Sequence, residues 1–175
     1  MAWKRLARKT VYETKFIGVY EDTVEVENGR VFGDYSTIQF SDSVVIVATD
    51  LEGRLIAIRE YKYAVDKVML GLPAGGIEQG HNAVYTARKE LLEETGYEGD
   101  EGEVIYMVHN YPSKVAHNEY TVRIRNARKV TETAHEETES IESTELIKPA
   151  DIKPELFEGS YSISALACCR MFAID

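Results

Sequence analysis

The alternation of apolar and polar residues predicts strands in the first third of the 175-residue chain. Residues 16–40 alternate loosely around Asn28-Gly29, a dipeptide that favours a tight hairpin turn. Residues 43–63 form a second predicted strand pair, and its opening run, Val44–Ala48, is continuously apolar. Such a run is typical of a strand that is covered on both faces. The pattern therefore predicts a hairpin followed by strands of a buried sheet.

The pattern changes to a helical period after a loop that is predicted over residues 64–80. Asn82 is a suitable N-cap for a helix that runs to about Thr95, and Gly96 is a suitable C-terminal stop. Further strands are predicted near residues 103–110, 120–127 and 141–148, and a final helix over about 162–173. Strands interleaved with two well-separated helices predict an α/β fold, specifically an α/β/α sandwich with a mixed sheet.

The formal net charge is −10, and no basic stretch is dense enough to form a groove for a nucleic acid backbone. The short run KRLARK near the N-terminus is better explained as a solvated face or a dimer contact. We therefore expect no nucleic acid partner. The negative net charge does not exclude a small anionic substrate, because a bound metal ion supplies local positive charge.

The two cysteines, Cys168 and Cys169, are adjacent and provide no disulfide framework, which suits a reducing cytoplasm. We interpret them as small core residues of the C-terminal helix. The sequence has no apolar run of membrane-spanning length, and MAWKRLARKT lacks the apolar core of a signal peptide. The expected location is cytoplasmic, without a membrane partner.

Three carboxylates share one face of the first predicted helix, because Glu90, Glu93 and Glu94 are spaced i, i+3 and i+4. Like charges so close repel, so either the face is solvated or a cation neutralises it. The preceding residues 73–76, Pro-Ala-Gly-Gly, favour the cation, because a glycine-rich turn can aim a carbonyl oxygen inward. Carboxylate and carbonyl oxygens suit Mg²⁺ or Mn²⁺, which can neutralise a diphosphate during its hydrolysis.

The segment from Gly75 to Tyr97 resembles the Nudix box, G-x5-E-x7-R-E-U-x-E-E-x-G-U, in which U is a large apolar residue. Seven of the nine specified positions fit: Gly75, Glu90, Leu91, Glu93, Glu94, Gly96 and Tyr97. The motif is long and specific, so the resemblance implies the Nudix fold, which is an α/β/α sandwich with a mixed β-sheet.

The resemblance extends over most of the chain and narrows to the ADP-ribose pyrophosphatase branch. The segments AWKRLARKTVYE and LPAGGIE, the long N-terminal hairpin, the terminal helix and Pro112 are all similar to that branch. The resemblance implies an N-terminal antiparallel β-hairpin region over residues 1–40, used in dimerisation and substrate contact. It further implies a Nudix hydrolase domain over residues 41–175 and a homodimer.

The branch cleaves nucleoside diphosphates that are linked to a sugar. The resemblance therefore implies Mg²⁺-dependent hydrolysis of ADP-ribose to AMP and ribose 5-phosphate, with Mn²⁺ as a second candidate cofactor. GDP-mannose and other nucleoside diphosphate sugars stay open as substrates. A non-catalytic Nudix module that binds a nucleotide is the alternative from a different class.

The resemblance, carried over position by position, makes Glu90 and Glu94 metal ligands, with the Ala74 carbonyl completing the inner set. Glu93 beside them is assigned a catalytic role. The family's base lies on the loop before the penultimate strand, here AHEETESIE.

On that loop, counting back from Ile141, Glu137 matches the family's base and Glu139 a further metal ligand. A flexible loop can bring a carboxylate to the attacking water. The alternative is that this acidic stretch is merely solvated, and for Glu137 the two interpretations weigh equally.

Three residues outside the box match substrate-binding positions of relatives. Trp3 matches a tryptophan that stacks on the nucleobase, often across the dimer, although a lone terminal tryptophan also serves as an interface anchor. Lys62 stands where relatives carry an arginine that contacts phosphate, and a solvated lysine is the alternative. Pro112 lies fifteen positions after Tyr97, where the branch carries a proline.

Two box positions depart from the pattern. His81 replaces a glutamate and Lys89 replaces an arginine of the network that orients the metal-binding carboxylates in relatives, and Gly71 stands where many relatives have a glutamate. A lysine keeps the charge but loses the planar fork of arginine, so we expect a looser geometry. Losses in such a supporting network can weaken metal binding or activity by ~10–100-fold without abolishing either, and we expect the metal site itself to survive. These departures are the features that favour the non-catalytic module.

Overall fold

The computed structural model describes residues 3–134 and 140–171 of the chain. Within these residues it contains twelve strands and two α-helices. In chain order they are β1 (Lys4–Glu13), β2 (Ile17–Glu25), β3 (Val31–Phe40), β4 (Ser43–Asp50), β5 (Leu55–Lys62), β6 (Lys67–Gly71), β7 (Ala74–Gly76), α1 (Ala83–Thr95), β8 (Tyr97–Glu98), β9 (Glu103–Val108), β10 (Val115–Ala116), β11 (Glu119–Lys129), β12 (Ile141–Ile147) and α2 (Ser160–Cys168).

The chain forms two compact units. The first comprises Met1–Asp42 and Val108–Glu119, and the second comprises Ser43–Met107 and Tyr120–Asp175. The first unit holds a four-stranded sheet in the order β1-β2-β3-β10, in which β10 runs parallel to β3 and the other pairs are antiparallel. The hairpin predicted around Asn28-Gly29 is confirmed as β2–β3.

Strand β1 contains the KRLARK run, for which the sequence pattern predicted no strand. All ten residues of β1 are exposed within this chain. Because neither face of the strand is buried, its residues show no alternation of apolar and polar side chains. The strand exists because it pairs antiparallel along the length of β2.

The second unit is built on an eight-stranded sheet whose main path is β12-β5-β4-β11-β8. Strand β6 pairs with β5, β7 with β4, and β9 with β11. Strand β4 alternates its apolar side chains between two cores, with Val45 and Val47 on the α2 side and Val44 and Ile46 on the α1 side. All four are at most 1% exposed, so the sheet is covered by a helix on each face. The predicted Nudix-type sandwich is confirmed.

Two boundaries differ from the sequence prediction. The segment predicted as a loop over residues 64–80 contains β6 and β7, because Lys67–Gly71 completes a ladder along β5 and Ala74–Gly76 one along β4. Helix α2 runs over Ser160–Cys168 instead of about 162–173. Neither helix in the described parts of the chain is long and apolar enough to cross a membrane.

Candidate active site

Helix α1 has the caps that its sequence predicts. The Asn82 side chain accepts a hydrogen bond of 2.9 Å from the backbone N–H of Tyr85. Gly96 adopts the left-handed conformation at φ 74°, and its N–H donates to the carbonyl oxygen of Leu92. The apolar residues Ala87 and Leu91 are buried against the sheet. The caps and this apolar stripe fix the rotation of the helix, and thereby the direction of its three glutamates.

The carboxylates of Glu90 and Glu94 are buried where α1 meets β7. Their residues are only 9% and 3% exposed. The Glu94 Oε2 accepts a hydrogen bond of 3.0 Å from the backbone N–H of Ala74. A Cβ at Gly75 would lie 2.4 Å from the Glu90 Cδ, so the glycine is what allows that carboxyl group to approach the backbone. The two acids therefore meet the glycine-rich segment that the sequence paired with them.

The backbone of this segment is fixed from the sheet side. Ile46 donates its N–H to the Pro73 carbonyl oxygen at 2.9 Å, and Val45 pairs with Ala74 in the β4–β7 ladder. Ala74 is consequently held by the sheet on one side and by Glu94 on the other.

Lys89 acts as the internal counter-ion of this helix face. Its Nζ lies 2.7 Å from the Glu93 Oε2 and 3.5 Å from the Glu90 Oε1. The hydrogen bond that Lys89 donates to Glu93, with the charges of both acids, raises the pKa of Lys89 despite partial burial. The lysine is therefore charged at any physiological pH and offsets the repulsion among the glutamates.

The other altered box position has different partners. The His81 ring lies 4.4 Å from the Tyr85 ring, centroid to centroid, and its Nδ1 is 3.9 Å from the Glu78 Oε2. The residue is exposed just before the N-cap of α1, and its side chain is 34% exposed. Lys89 and His81 thus have separate roles: the first contacts Glu90 and Glu93, and the second contacts the surface of the first helical turn.

The proposed base Glu137 and the further ligand Glu139 lie outside the described residues. The chain on either side of them is held within the second unit. Ala134 donates its N–H to the carbonyl oxygen of Glu93 at 2.9 Å, and the carbonyl oxygen of Ser140 accepts from the N–H of Tyr61 at 2.9 Å. The described residues that flank them, Ala134 and Ser140, are therefore held beside Glu93 of α1 and near the end of β5.

Lys62 lies at that end of β5. Its Nζ is 2.5 Å from the Glu60 Oε2. The sequence analysis did not identify Tyr161 on α2, whose hydroxyl reaches Gly71. Gly71 and Tyr161 are ninety positions apart, and no spacing pattern links them, so no signal in the sequence could have brought them together.

Trp3 and Pro112 belong to the first unit. The Trp3 ring packs edge-to-face on Tyr35 with a centroid distance of 5.5 Å and is 53% exposed. Pro112 lines a cavity of about 390 Å³ within that unit. The basic and aromatic side chains that line the same cavity are Arg5, Arg8, Lys114, Tyr20 and Tyr35.

Comparison with protein families matches residues 39–166 to the NUDIX domain. The chain belongs to the Nudix family. Residues 3–38 of this Nudix chain match a second model, the nucleoside diphosphate sugar hydrolase N-terminal domain. The family membership predicted from the box is thereby confirmed.

Curated relatives of the Nudix chain include an ADP-ribose pyrophosphatase of Bacillus subtilis (strain 168), 31% identical over 54% of this chain and 50% of the relative. A methanol dehydrogenase activator of Bacillus methanolicus is 27% identical over 57% of this chain and 54% of the relative. The chain spans about half the length of the curated relatives it matches.

Among solved structures, the fold is similar to the crystal structure of an ADP compounds hydrolase. The TM-score is 0.80, the identity is 22%, and the match covers 97% of this chain and 93% of the other. At this identity the likeness supports the fold.

Nudix hydrolases generally use divalent metal ions, and the α1–β7 site fits one. Two buried carboxylates, Glu90 and Glu94, adjoin the backbone of β7, which Gly75 leaves accessible to the Glu90 carboxyl group. Oxygen donors of this kind suit Mg²⁺ or Mn²⁺. In the described part of the chain no three His, Cys, Asp or Glu side chains gather closely enough to hold a metal ion. A bound ion would therefore also need a backbone oxygen, water, substrate or the acidic loop.

Proposed function

We propose that this chain is a Mg²⁺-dependent hydrolase that cleaves the diphosphate of a nucleoside diphosphate sugar. ADP-ribose, giving AMP and ribose 5-phosphate, is the leading substrate, and GDP-mannose and other nucleotide sugars belong to the same class. The observation that carries the proposal is the pair of buried carboxylates, Glu90 and Glu94, packed against the backbone of β7, which the Glu90 carboxyl group can approach because residue 75 is a glycine. The two family models and the ADP-ribose pyrophosphatase among the relatives support the substrate class.

The proposed chemistry assigns each acidic residue a separate task. Glu90, Glu94 and the Ala74 carbonyl would hold Mg²⁺ or Mn²⁺, with Glu139 as a further ligand. A cation held there supplies positive charge that stabilises charge developing on the diphosphate. Glu137 would accept a proton from the water that attacks one phosphorus atom, while the P–O bond to the leaving phosphate breaks.

Glu93 is assigned to the catalytic set through its position beside the two buried acids. Its carboxylate is the group that Lys89 holds at 2.7 Å. Breaking that ion pair would release Glu93 when substrate and cation bind. Before they bind, the lysine charge offsets the repulsion among the three glutamates.

Three residues are proposed to bind the substrate. Lys62 would contact a phosphate group, since it ends β5 and follows Tyr61, whose N–H donates to the Ser140 carbonyl oxygen. Trp3 is exposed enough to stack on a nucleobase, which would not by itself select adenine. Pro112 lines a cavity rich in cations and tyrosines, a lining suited to an anionic nucleotide.

The test of substrate class is product release from ADP-ribose, GDP-mannose, UDP-glucose and NADH, each with Mg²⁺ and with EDTA. The proposal predicts cleavage in Mg²⁺ that stops in EDTA, and the fastest substrate identifies the sugar and base. Thermal unfolding with each compound runs in parallel. Stabilisation by a nucleotide without turnover of any member would replace the hydrolase with the non-catalytic binding module.

A further inference from the structure

Tyr161 extends from the first turn of α2 to Gly71 at the end of β6. A Cβ on Gly71 would lie 2.5 Å from the Tyr161 hydroxyl oxygen, and one on Gly159 would lie 2.6 Å from the Tyr161 Cε1. Atoms cannot approach so closely, so the ring occupies space that exists because both positions are glycine. The backbone of Gly71 is outside the left-handed region, and the requirement there is therefore for space alone.

The hydroxyl lies beside Gly71, at the start of the segment that leads to Ala74. Next to Tyr161, the Ser162 Oγ accepts a hydrogen bond of 3.0 Å from the N–H of Leu72, two residues before Ala74. Burial raises the pKa of Tyr161, the Lys62 charge and a hydrogen bond with the Ser162 side chain oppose this, and the charges of Glu60 and Glu94 add to the rise. The phenol is therefore a protonated donor within electrostatic reach of Lys62 and Glu94.

A donor beside an ammonium group and carboxylates suits phosphate oxygens and sugar hydroxyls, whereas a nucleobase needs a flat surface on which to stack. We infer that the Tyr161 hydroxyl contacts the sugar-phosphate half of the substrate and that Gly71 keeps its path open, so that this pair of residues determines which sugar is accepted. The inference rests on the proposed function for the identity of the ligand.

The test uses Tyr161→Phe, Gly71→Ala and the double variant with the best nucleotide sugar of the panel. Tyr161→Phe keeps the ring and removes the hydroxyl, and we expect KM to rise about 10-fold with kcat within about 3-fold. Gly71→Ala displaces the hydroxyl and should raise KM similarly. Without the hydroxyl the nearest ring atom lies 3.4 Å from the new Cβ, so the double variant should be no worse than either single one.

Ser164→Ala is the structural control. It removes a hydrogen bond of 3.0 Å that the Ser164 hydroxyl donates to the Tyr161 backbone carbonyl oxygen, and we expect it to lower Tm without changing KM. Inhibition by the corresponding nucleoside monophosphate should be equal in wild type and Tyr161→Phe, because that half of the substrate is unaffected. An unchanged KM in Tyr161→Phe, or additive effects of the two substitutions, would overturn the inference.

A binding experiment distinguishes failure of the Tyr161 inference from failure of the hydrolase proposal. If wild type turns over no compound, calorimetry with Mg²⁺ measures the affinity for ADP-ribose, GDP-mannose, UDP-glucose, AMP, GMP and UMP. A loss of about 10-fold in Tyr161→Phe, confined to the nucleotide sugars, would support the assigned contact although hydrolysis is discarded. Equal affinities, or no binding of any nucleotide sugar by wild type, would overturn it.

Discussion

The residue that most changes the picture of the site is Lys89. A lysine at an arginine position implied a loosened network, yet its ammonium bridges Glu93 at 2.7 Å and approaches Glu90 at 3.5 Å. The i, i+4 spacing of Lys89 and Glu93 contained this information, and helical geometry alone predicts the pair. What the spacing could not give is the partial burial of the ammonium between two acids, which depends on the packing of α1 against β7.

Replacing Lys89 by Met removes the charge and keeps most of the side-chain length. The three glutamates would then repel, and we expect the free energy of unfolding to fall by about 1 kcal/mol, which is ~3 °C in Tm. Added Mg²⁺ should raise Tm more in this variant than in wild type, because the cation replaces the missing charge. Lys89→Arg is the control that retains the charge. Equal Tm values for Lys89→Met and wild type at low salt would contradict this account.

A second ion pair makes the first unit sensitive to acid. Arg8 donates to both carboxylate oxygens of Asp22 at 2.8 Å, and Thr37 donates to one of them at 3.2 Å. The hydrogen bonds from Arg8, with smaller contributions from its charge and from Thr37, lower the pKa of Asp22 even though desolvation opposes the shift. An acid with a lowered pKa stabilises the fold at neutral pH, and that contribution is lost as pH falls through its folded-state pKa.

Asp22→Asn should therefore reduce the free energy of unfolding at pH 7 by about 2 kcal/mol. Below about pH 4, the ordinary aspartate range, wild type loses the same contribution and the difference in Tm should shrink. Asp34→Asn, at an exposed acid on β3, is the matched control and should change little at any pH. A difference that persists undiminished at pH 2.5 would be inconsistent with the ion pair as its source.

At the scale of elements, local signals in the sequence predicted α1. The elements that the sequence analysis missed form by pairing with distant parts of the chain. Asn82 and Gly96 fixed the ends of α1 because capping is decided within a few residues. Strands β1, β6 and β7 escaped prediction because they are exposed or short and exist through partners elsewhere in the chain. The contact between Gly71 and Tyr161 is of the same kind, since only the fold brings β6 and α2 together.

The C-terminal cap of α1 provides a test with a matched control. Gly96 and Gly53 have nearly equal φ angles of 74° and 76°, but a Cβ on Gly96 would lie 2.2 Å from the Thr131 carbonyl oxygen while one on Gly53 meets nothing within 4 Å. Gly53→Ala should cost about 1 kcal/mol, from backbone strain alone. Gly96→Ala should cost roughly 3 kcal/mol or more, measured by denaturant unfolding. Equal costs would show that α1 ends without that close contact.

At the scale of the whole molecule, strand β1 is an exposed sheet edge. It lies at the edge of the first unit's sheet, and it exposes Leu6, Val11 and Tyr12 at 47%, 58% and 57%. An unpaired edge with exposed apolar side chains favours association with another strand. The sequence resemblance implied a homodimer that uses residues 1–40, and this edge is the surface we propose for it.

Light scattering tests the oligomeric state directly. We expect a mass of twice the 19.8 kDa chain, and we expect Val11→Lys to shift the population toward the monomer. Val130→Lys, at a similarly exposed apolar residue with 57% exposure in the second unit, is the control and should leave the dimer intact. A wild-type protein that is monomeric at all concentrations would remove β1 as a dimer surface.

We propose above all that the carboxylates packed against β7 hold the cation on which hydrolysis depends. The most direct measurement is Mg²⁺-dependent release of nucleoside monophosphate by wild type, Glu94→Gln and Glu98→Gln, with the best substrate of the panel. Glu98 is an exposed acid beyond the end of α1 that pairs with Arg88 at 3.3 Å, so its loss controls for charge. We predict that Glu94→Gln loses about 100-fold or more in kcat/KM while Glu98→Gln stays near wild type, and that EDTA abolishes turnover. Equal activity of Glu94→Gln and wild type, or turnover that continues in EDTA, would contradict the account.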